Sequence, residues 1–321
     1  LEYPRDPASP TVSLIDVKLH LNSVISDAHR GAQYIVVDIK NFYLGTPMGY
    51  YQYMKIHRKN IPQEILTQYE LEFDKDGYVY VEIRKGMYGL KEAGKLAHQQ
   101  LVQHLDKYGY HPVEHTPGLW VHRTRPTTFT LCVDDFGIKT YSDEDTMHLV
   151  KALKDKYEIT IDNKGEKYLG LILGWDYPNG TVDISMPGYI KHALERFNHP
   201  QPSRPQHSPH EWHKPVYGST KQQQPTTIKS SPALSDSATK RIQSIIETLL
   251  YYARGVDPTM LPALNEISAQ QSSPTQDTET KVQRLMDYAT THPDATIRFH
   301  ASDMILYVAS AAAYLVLPKA R

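Results

Sequence analysis

The chain has 321 residues, 40% of them apolar, which predicts about two domains with enough apolar surface to build real cores. Lys and Arg number 35 against 36 Asp and Glu, a net charge of -1 that excludes a polycation holding nucleic acid by bulk charge. A single cysteine, Cys132, excludes an intrachain disulfide and a cysteine-based zinc site. The longest apolar run, Ile305 to Leu317, is 13 residues, short of the ~18 needed to cross a bilayer. No basic-then-apolar leader is present, and the chain opens on Leu1 rather than Met. It reads as part of a longer intracellular polypeptide, of cytoplasm or nucleus.

The elements follow in chain order. Val12 to Ser26 is an imperfect amphipathic helix. Tyr34 to Ile39 is a buried-strand pattern interrupted by Asp38, and Gly77 to Ile83 is a second strand. Lys91 to Tyr108 is a helix with Leu96, Leu101, Val102 and Leu105 on one face. Phe129 to Thr140 is a β-hairpin with Asp134 and Asp135 at its centre, and Glu144 to Tyr157 a helix. Tyr168 to Met186 is two strands around Pro178-Asn179-Gly180, and Tyr189 to Phe197 a short helix. Seven prolines between Pro200 and Asp236 mark a linker or long surface loop. Ser237 is placed to cap a helix ending at Gly255, Thr280 to Thr291 forms another, and Ile297 to Leu317 reads as one or two strands. The order gives an α+β fold rather than a regular βαβ array.

Chemistry concentrates at Asp38, Asp134 and Asp135. Each sits against apolar strand residues, where an ionised carboxylate costs several kcal/mol unless a cation compensates it. Three such acids suit two divalent ions roughly 4 Å apart, the arrangement for phosphoryl transfer. The same acids also suit a plain hairpin turn and a solvated strand end.

Together the segments resemble the reverse transcriptase of copia-type long-terminal-repeat retrotransposons. The resemblance is carried by Val37-Asp38-Ile39-Lys40-Asn41-Phe42-Tyr43-Leu44, by Lys85-Gly86-Met87-Tyr88-Gly89-Leu90-Lys91-Glu92-Ala93-Gly94 and by Cys132-Val133-Asp134-Asp135. Weaker matches are Tyr168-Leu169-Gly170, the stretch Ile246 to Arg254, and the tail from Ser310. It implies a palm with partial fingers and thumb over 1–199, a Pro-rich linker over 200–236, connection helices over 237–296 and a truncated RNase H-like start over 297–321. It implies an RNA-directed DNA polymerase in which Asp38, Asp134 and Asp135, with the Ile39 carbonyl, hold two Mg²⁺ or substituting Mn²⁺. Tyr43 would stack under the incoming sugar, Gly89 would let backbone approach the nucleic acid, and Lys85, Lys91 and Lys95 would line the template path. The implied partners are an RNA or DNA template with its primer, deoxynucleoside triphosphates and other parts of a parent polyprotein, with no membrane.

Three positions depart from the family pattern. Glu92 stands where the family often has Gln, in the loop facing the nucleotide, and Cys132 where many relatives have an aromatic. Ala311 falls where the first RNase H carboxylate belongs, so no RNase H activity is expected. These departures keep a second reading open: a catalytically dead, retroelement-derived fragment acting as a nucleic-acid-binding or interaction domain. His207-x-x-His210-x-x-His213 has the spacing of a weak metal motif, and no Gly-x-Ser-x-Gly elbow supports a hydrolase.

Overall fold

The computed structural model describes residues 10–90, 92–211 and 231–310. It is α+β with antiparallel sheets, as the element order predicts. The contacts divide it into two compact units: residues up to 20 with 29–165, and residues 21–28 with those from 166 onward.

Helix α1 (Leu14–Ser26), whose residues divide between the units after His20, starts two residues later than the hydrophobic pattern suggests. Ser13 Oγ accepts the Asp16 N–H, while Val12 stays extended and gives its N–H to the Leu131 carbonyl. Strand β1 (Gln33–Ile39) leads into β2 (Pro47–His57), helix α2 (Gln63–Tyr69) and β3 (Tyr78–Lys85). Helix α3 (Ala93–Asp106), strands β4 (Tyr110–Pro112), β5 (Leu119–His122), β6 (Thr128–Cys132) and β7 (Asp135–Thr140), helix α4 (Asp143–Lys154) and β8 (Ile159–Asp162) complete the first unit. Six strands form one sheet in the order β4-β5-β6-β7-β1-β8, and β2 pairs with β3 separately.

The core follows from strand alternation. Ile35, Val37 and Ile39 join Trp120, Phe129, Leu131, Phe136 and Ile138 on one sheet face, under Leu101 and Leu105 of α3 and Leu149 and Leu153 of α4. Each large side chain so buried contributes about 1.5–3 kcal/mol. Asp38, out of phase with Val37 and Ile39, points to the opposite face and escapes that core.

In the second unit, β9 (Lys167–Tyr168), β10 (Leu171–Asp176) and β11 (Thr181–Ser185) precede helix α5 (Tyr189–Arg196). Helices α6 (Asp236–Gly255), α7 (Leu261–Ser268) and α8 (Gln276–Thr291) follow, then β12 (Thr296–His300). Ser235, not Ser237, caps α6, its Oγ accepting the Ala238 N–H.

The contacts divide the chain after Gly165, and α5 packs on α6 and α8. The described part of the Pro-rich stretch is not a free linker: Gln206 N–H bonds Thr291 Oγ1 at 2.9 Å and Arg284 bonds the Ser208 carbonyl at 3.2 Å. β12 pairs with β11, and Arg298 grips Asp183 at 2.6 and 2.7 Å. Residues 301–310 have no ladder partner, and Ala311 lies outside the described residues.

Candidate active site

The three acids converge through register. β1 and β7 run antiparallel with Asp38 directly opposite Asp135, which puts their Cβ atoms about 5 Å apart on one face. β6 and β7 pair Cys132 with Asp135, so Val133 and Asp134 alone make the turn. The Ile39 N–H bonds the Asp134 carbonyl at 3.0 Å and stitches that turn to β1.

Turn geometry is unusual for its residues. Val133 has φ +61°, while Asp134 remains at negative φ. A two-residue hairpin with positive φ at its first position favours glycine there. A β-branched residue in that region is a true outlier, with a cost of about 1–3 kcal/mol. The surrounding ladder and the packing of Val133 against the core hold it there.

Negative charge is the site's dominant property. Asp135 is pushed up to about 6 by burial, and further by the charges of Asp134 and Asp38. Burial also raises Asp134, with Asp38 adding to it, against a lowering hydrogen bond from Tyr88. The Cys132 thiol rises through burial first and then the charges of Asp135 and Asp134. The phenols of Tyr43 and Tyr88 rise through burial first and then the charge of Asp134.

The other sequence candidates are spread around this centre. Ile39 is buried, with its backbone between Asp134 and, across β8, Ile159. Tyr43 is half-buried against the core, and its ring meets Tyr88 edge-on at 4.7 Å. Gly89, φ +93°, is the third residue of a turn closed by Leu90 N–H to the Met87 carbonyl at 3.2 Å, and a Cβ there would meet nothing within 4 Å. Only glycine holds that φ without strain. Glu92 opens α3 without a side-chain cap bond, and Lys85 lies exposed opposite Pro47. Lys91 lies outside the described residues.

Tyr88 is the residue that sequence reasoning gave no role. Its hydroxyl donates to Asp134 Oδ2 at 3.2 Å across 46 residues of chain. Nothing local in the sequence signals that reach. The histidine motif, by contrast, comes apart: His207 Nδ1 faces His292 Nε2 at 3.1 Å, His210 bonds Glu266 at 2.7 Å, and His213 lies outside the described residues.

The donor set can be tested against a divalent cation. Among the described residues there is no group of three or more His, Cys, Asp or Glu side chains that could hold a metal ion. Mg²⁺ does not require one: it takes one or two carboxylates, keeps several waters, and completes its shell with substrate phosphates. Hard carboxylate oxygens, crowded enough that Asp134 and Asp38 add to the raising of Asp135, suit that partial ligation.

No protein-family model matches the chain. Among solved structures, it is similar to telomerase from Candida albicans, in a structure that includes a TWJ fragment of telomeric RNA. Identity is 10% and the TM-score 0.33, covering 89% of this chain. The chain spans 49% of that protein's chain. No helix among the described residues is long and apolar enough to cross a membrane.

Proposed function

We propose that this chain carries the palm of an RNA-directed DNA polymerase of the copia-type retrotransposon kind. Such an enzyme joins a deoxynucleotide to a primer 3′-oxygen with release of pyrophosphate. The observation that carries the reading is the direct opposition of Asp38 and Asp135 with Asp134 in the adjoining turn.

The electrostatics give the reading its chemistry. Three crowded carboxylates and an incoming triphosphate repel one another, and neither can approach unless cations stand between them. Asp38, Asp134 and Asp135, with the Ile39 carbonyl, would hold Mg²⁺, or Mn²⁺ in its place. Bound there, the ions supply charge neutralisation at the transferring phosphoryl group and a lowered pKa at the attacking hydroxyl. The chain's own residues set the site: β1 and β7 fix two acids, the strained turn fixes the third, and the Met87–Leu90 turn sits beside them. Tyr43 is at the core margin, where an aromatic can take a sugar against its ring. Lys85, Lys91 and Lys95 would meet the phosphates of an RNA or DNA template with its primer. Other parts of a parent polyprotein would complete the enzyme.

One alternative has its own support. Glu92 adds a carboxylate at the start of α3, and no group of three or more His, Cys, Asp or Glu side chains that could hold a metal ion is present among the described residues. These favour a palm that binds nucleic acid without turnover.

Primer extension on an RNA template with Mg²⁺ or Mn²⁺ separates the two. The polymerase reading expects extension that disappears in Asp134→Ala. Nucleic-acid binding with no extension in either protein would establish the silent palm. Extension that survives Asp134→Ala would refute the site.

A further inference from the structure

Tyr88 is 67% exposed, so burial does not account for its position. Three contacts do. Its hydroxyl reaches Asp134 Oδ2. Its ring meets Tyr43 at a centroid distance of 4.7 Å and an interplanar angle of 75°. Its backbone lies in the Met87–Leu90 turn, which Gly89 makes possible at φ +93°.

That turn is tied to the connection between β1 and β2. Gly86 N–H bonds the Thr46 carbonyl at 2.8 Å, and Thr46 N–H bonds the Tyr43 carbonyl at 2.9 Å. A Cβ on Gly86 would fall 2.8 Å from the Tyr43 oxygen, so glycine is what lets the two segments meet. Tyr43 itself packs against the core and meets Phe42 at 5.8 Å. A continuous line of contacts therefore runs from the core through Tyr43 and Tyr88 to Asp134.

Asp134 needs such a support. It stands at the tip of a two-residue turn, where a carboxylate left alone samples several rotamers. A donor on Oδ2 fixes one of them. The carboxylate also accepts from its own backbone N–H, and the lone pairs that remain are available to a cation.

We propose that Tyr88 is a positioning residue that holds the Asp134 carboxylate ready for a divalent cation, with Tyr43 as its buttress. The proposal rests on the reading of the three acids as a cation-dependent site. Hydrogen bonds from outside the ligand shell orient ligands in this way and carry about 10- to 100-fold of metal affinity. The exposed phenol belongs at the lower end of that range.

The test uses the full chain and Mn²⁺ alone, with free Mn²⁺ read by electron paramagnetic resonance. Wild type, Asp134→Ala, Tyr88→Phe, Tyr43→Ala and the Tyr43/Tyr88 double variant are titrated, and each is melted in parallel. Asp134→Ala defines the binding that belongs to the site. Tyr88→Phe is expected to weaken that binding roughly tenfold with no change in melting temperature. The double variant is expected to be little worse than Tyr88→Phe, because the two rings act through one contact. Binding by Tyr88→Phe equal to wild type would overturn the proposal. Tighter binding would overturn it too, since the phenol would then be a competitor for the carboxylate. A wild type with no Asp134-dependent binding would overturn the carboxylate site itself, a failure distinct from the other two.

Discussion

Two sets of carboxylates sit at chain reversals in the first unit, and the fold treats them oppositely. Asp145, in the first turn of α4, accepts from Arg125 Nη1 at 2.8 Å and from Ser142 Oγ at 2.8 Å. Those bonds hold its carboxyl below the usual range, the Arg125 bond foremost. Asp134 and Asp135, in and after the β6–β7 turn, are raised by burial first, with the charge of Asp38 adding to both and that of Asp134 adding to Asp135. Asp183 in the second unit follows the Asp145 pattern, gripped and lowered by Arg298. An acid that serves structure is matched to a guanidinium. An acid that destabilises the fold where it stands marks a place kept for something else.

The largest expected effect lies on the activity side of this contrast. Asp134→Ala should reduce extension by about 10³-fold or more, since several kcal/mol of charge stabilisation go with it. Its unfolding free energy should hold or rise, because a repelled charge is removed. Asp145→Ala should do the reverse. It loses the guanidinium bond and the bond that Ser142 Oγ donates to its carboxylate, and about 2 kcal/mol of stability with them, while extension persists. Denaturant melts set beside extension assays check both. An Asp145→Ala protein as stable as wild type would break the comparison.

pH sharpens it further. Asp135 is held near 6 in the folded chain, above its ordinary 3.8. The folded state therefore binds its proton more tightly than the unfolded one. This term favours folding below about pH 4 and is lost as pH rises through about 6. After discount for solvent screening it amounts to roughly 1–2 kcal/mol. Asp145 has the opposite sign: its contribution is present above its unfolded pKa and is lost as pH falls through its lowered one. Melts of wild type and Asp135→Asn between pH 4 and 8 should diverge, with the Asn variant the more stable at the alkaline end. Parallel curves would show that Asp135 is not raised.

Much of this was legible in the sequence, and the rest failed for stated reasons. Tyr34 to Ile39 was readable because five apolar residues around one acid leave no alternative to a buried strand. Asn179-Gly180 announced its hairpin, with Gly180 at φ +64°. β8 was missed because four residues are too few for a period to declare itself. α7 was missed because Pro262 reads as a breaker, though it sits in the helix's first turn, where proline is tolerated. The acids were legible by type and apolar setting. Their opposition was not, since the β1–β7 register is a property of the sheet and not of either segment. Tyr88 was hidden for the same reason.

The smallest effect concerns the one added charge at the site's margin. Glu92 is at the N-terminus of α3, its carbonyl accepting the Leu96 N–H at 3.0 Å and its carboxylate making no cap bond. A carboxylate there is favoured by the helix dipole, by about 0.3–1 kcal/mol. The same carboxylate opposes an arriving phosphate, by about 0.5 kcal/mol per charge at roughly 8 Å in water. The two effects act on different states: the first on folding, the second on binding. Glu92→Gln should therefore lower stability slightly and lower the KM for nucleotide about twofold. The gain should be present at low ionic strength and fade above about 0.15 M, where exposed charges are screened. Steady-state extension at two salt concentrations checks it. A KM that rises in Glu92→Gln would mean that the carboxylate serves the substrate rather than repels it, and Glu92 would then join the three site acids rather than the matched ones.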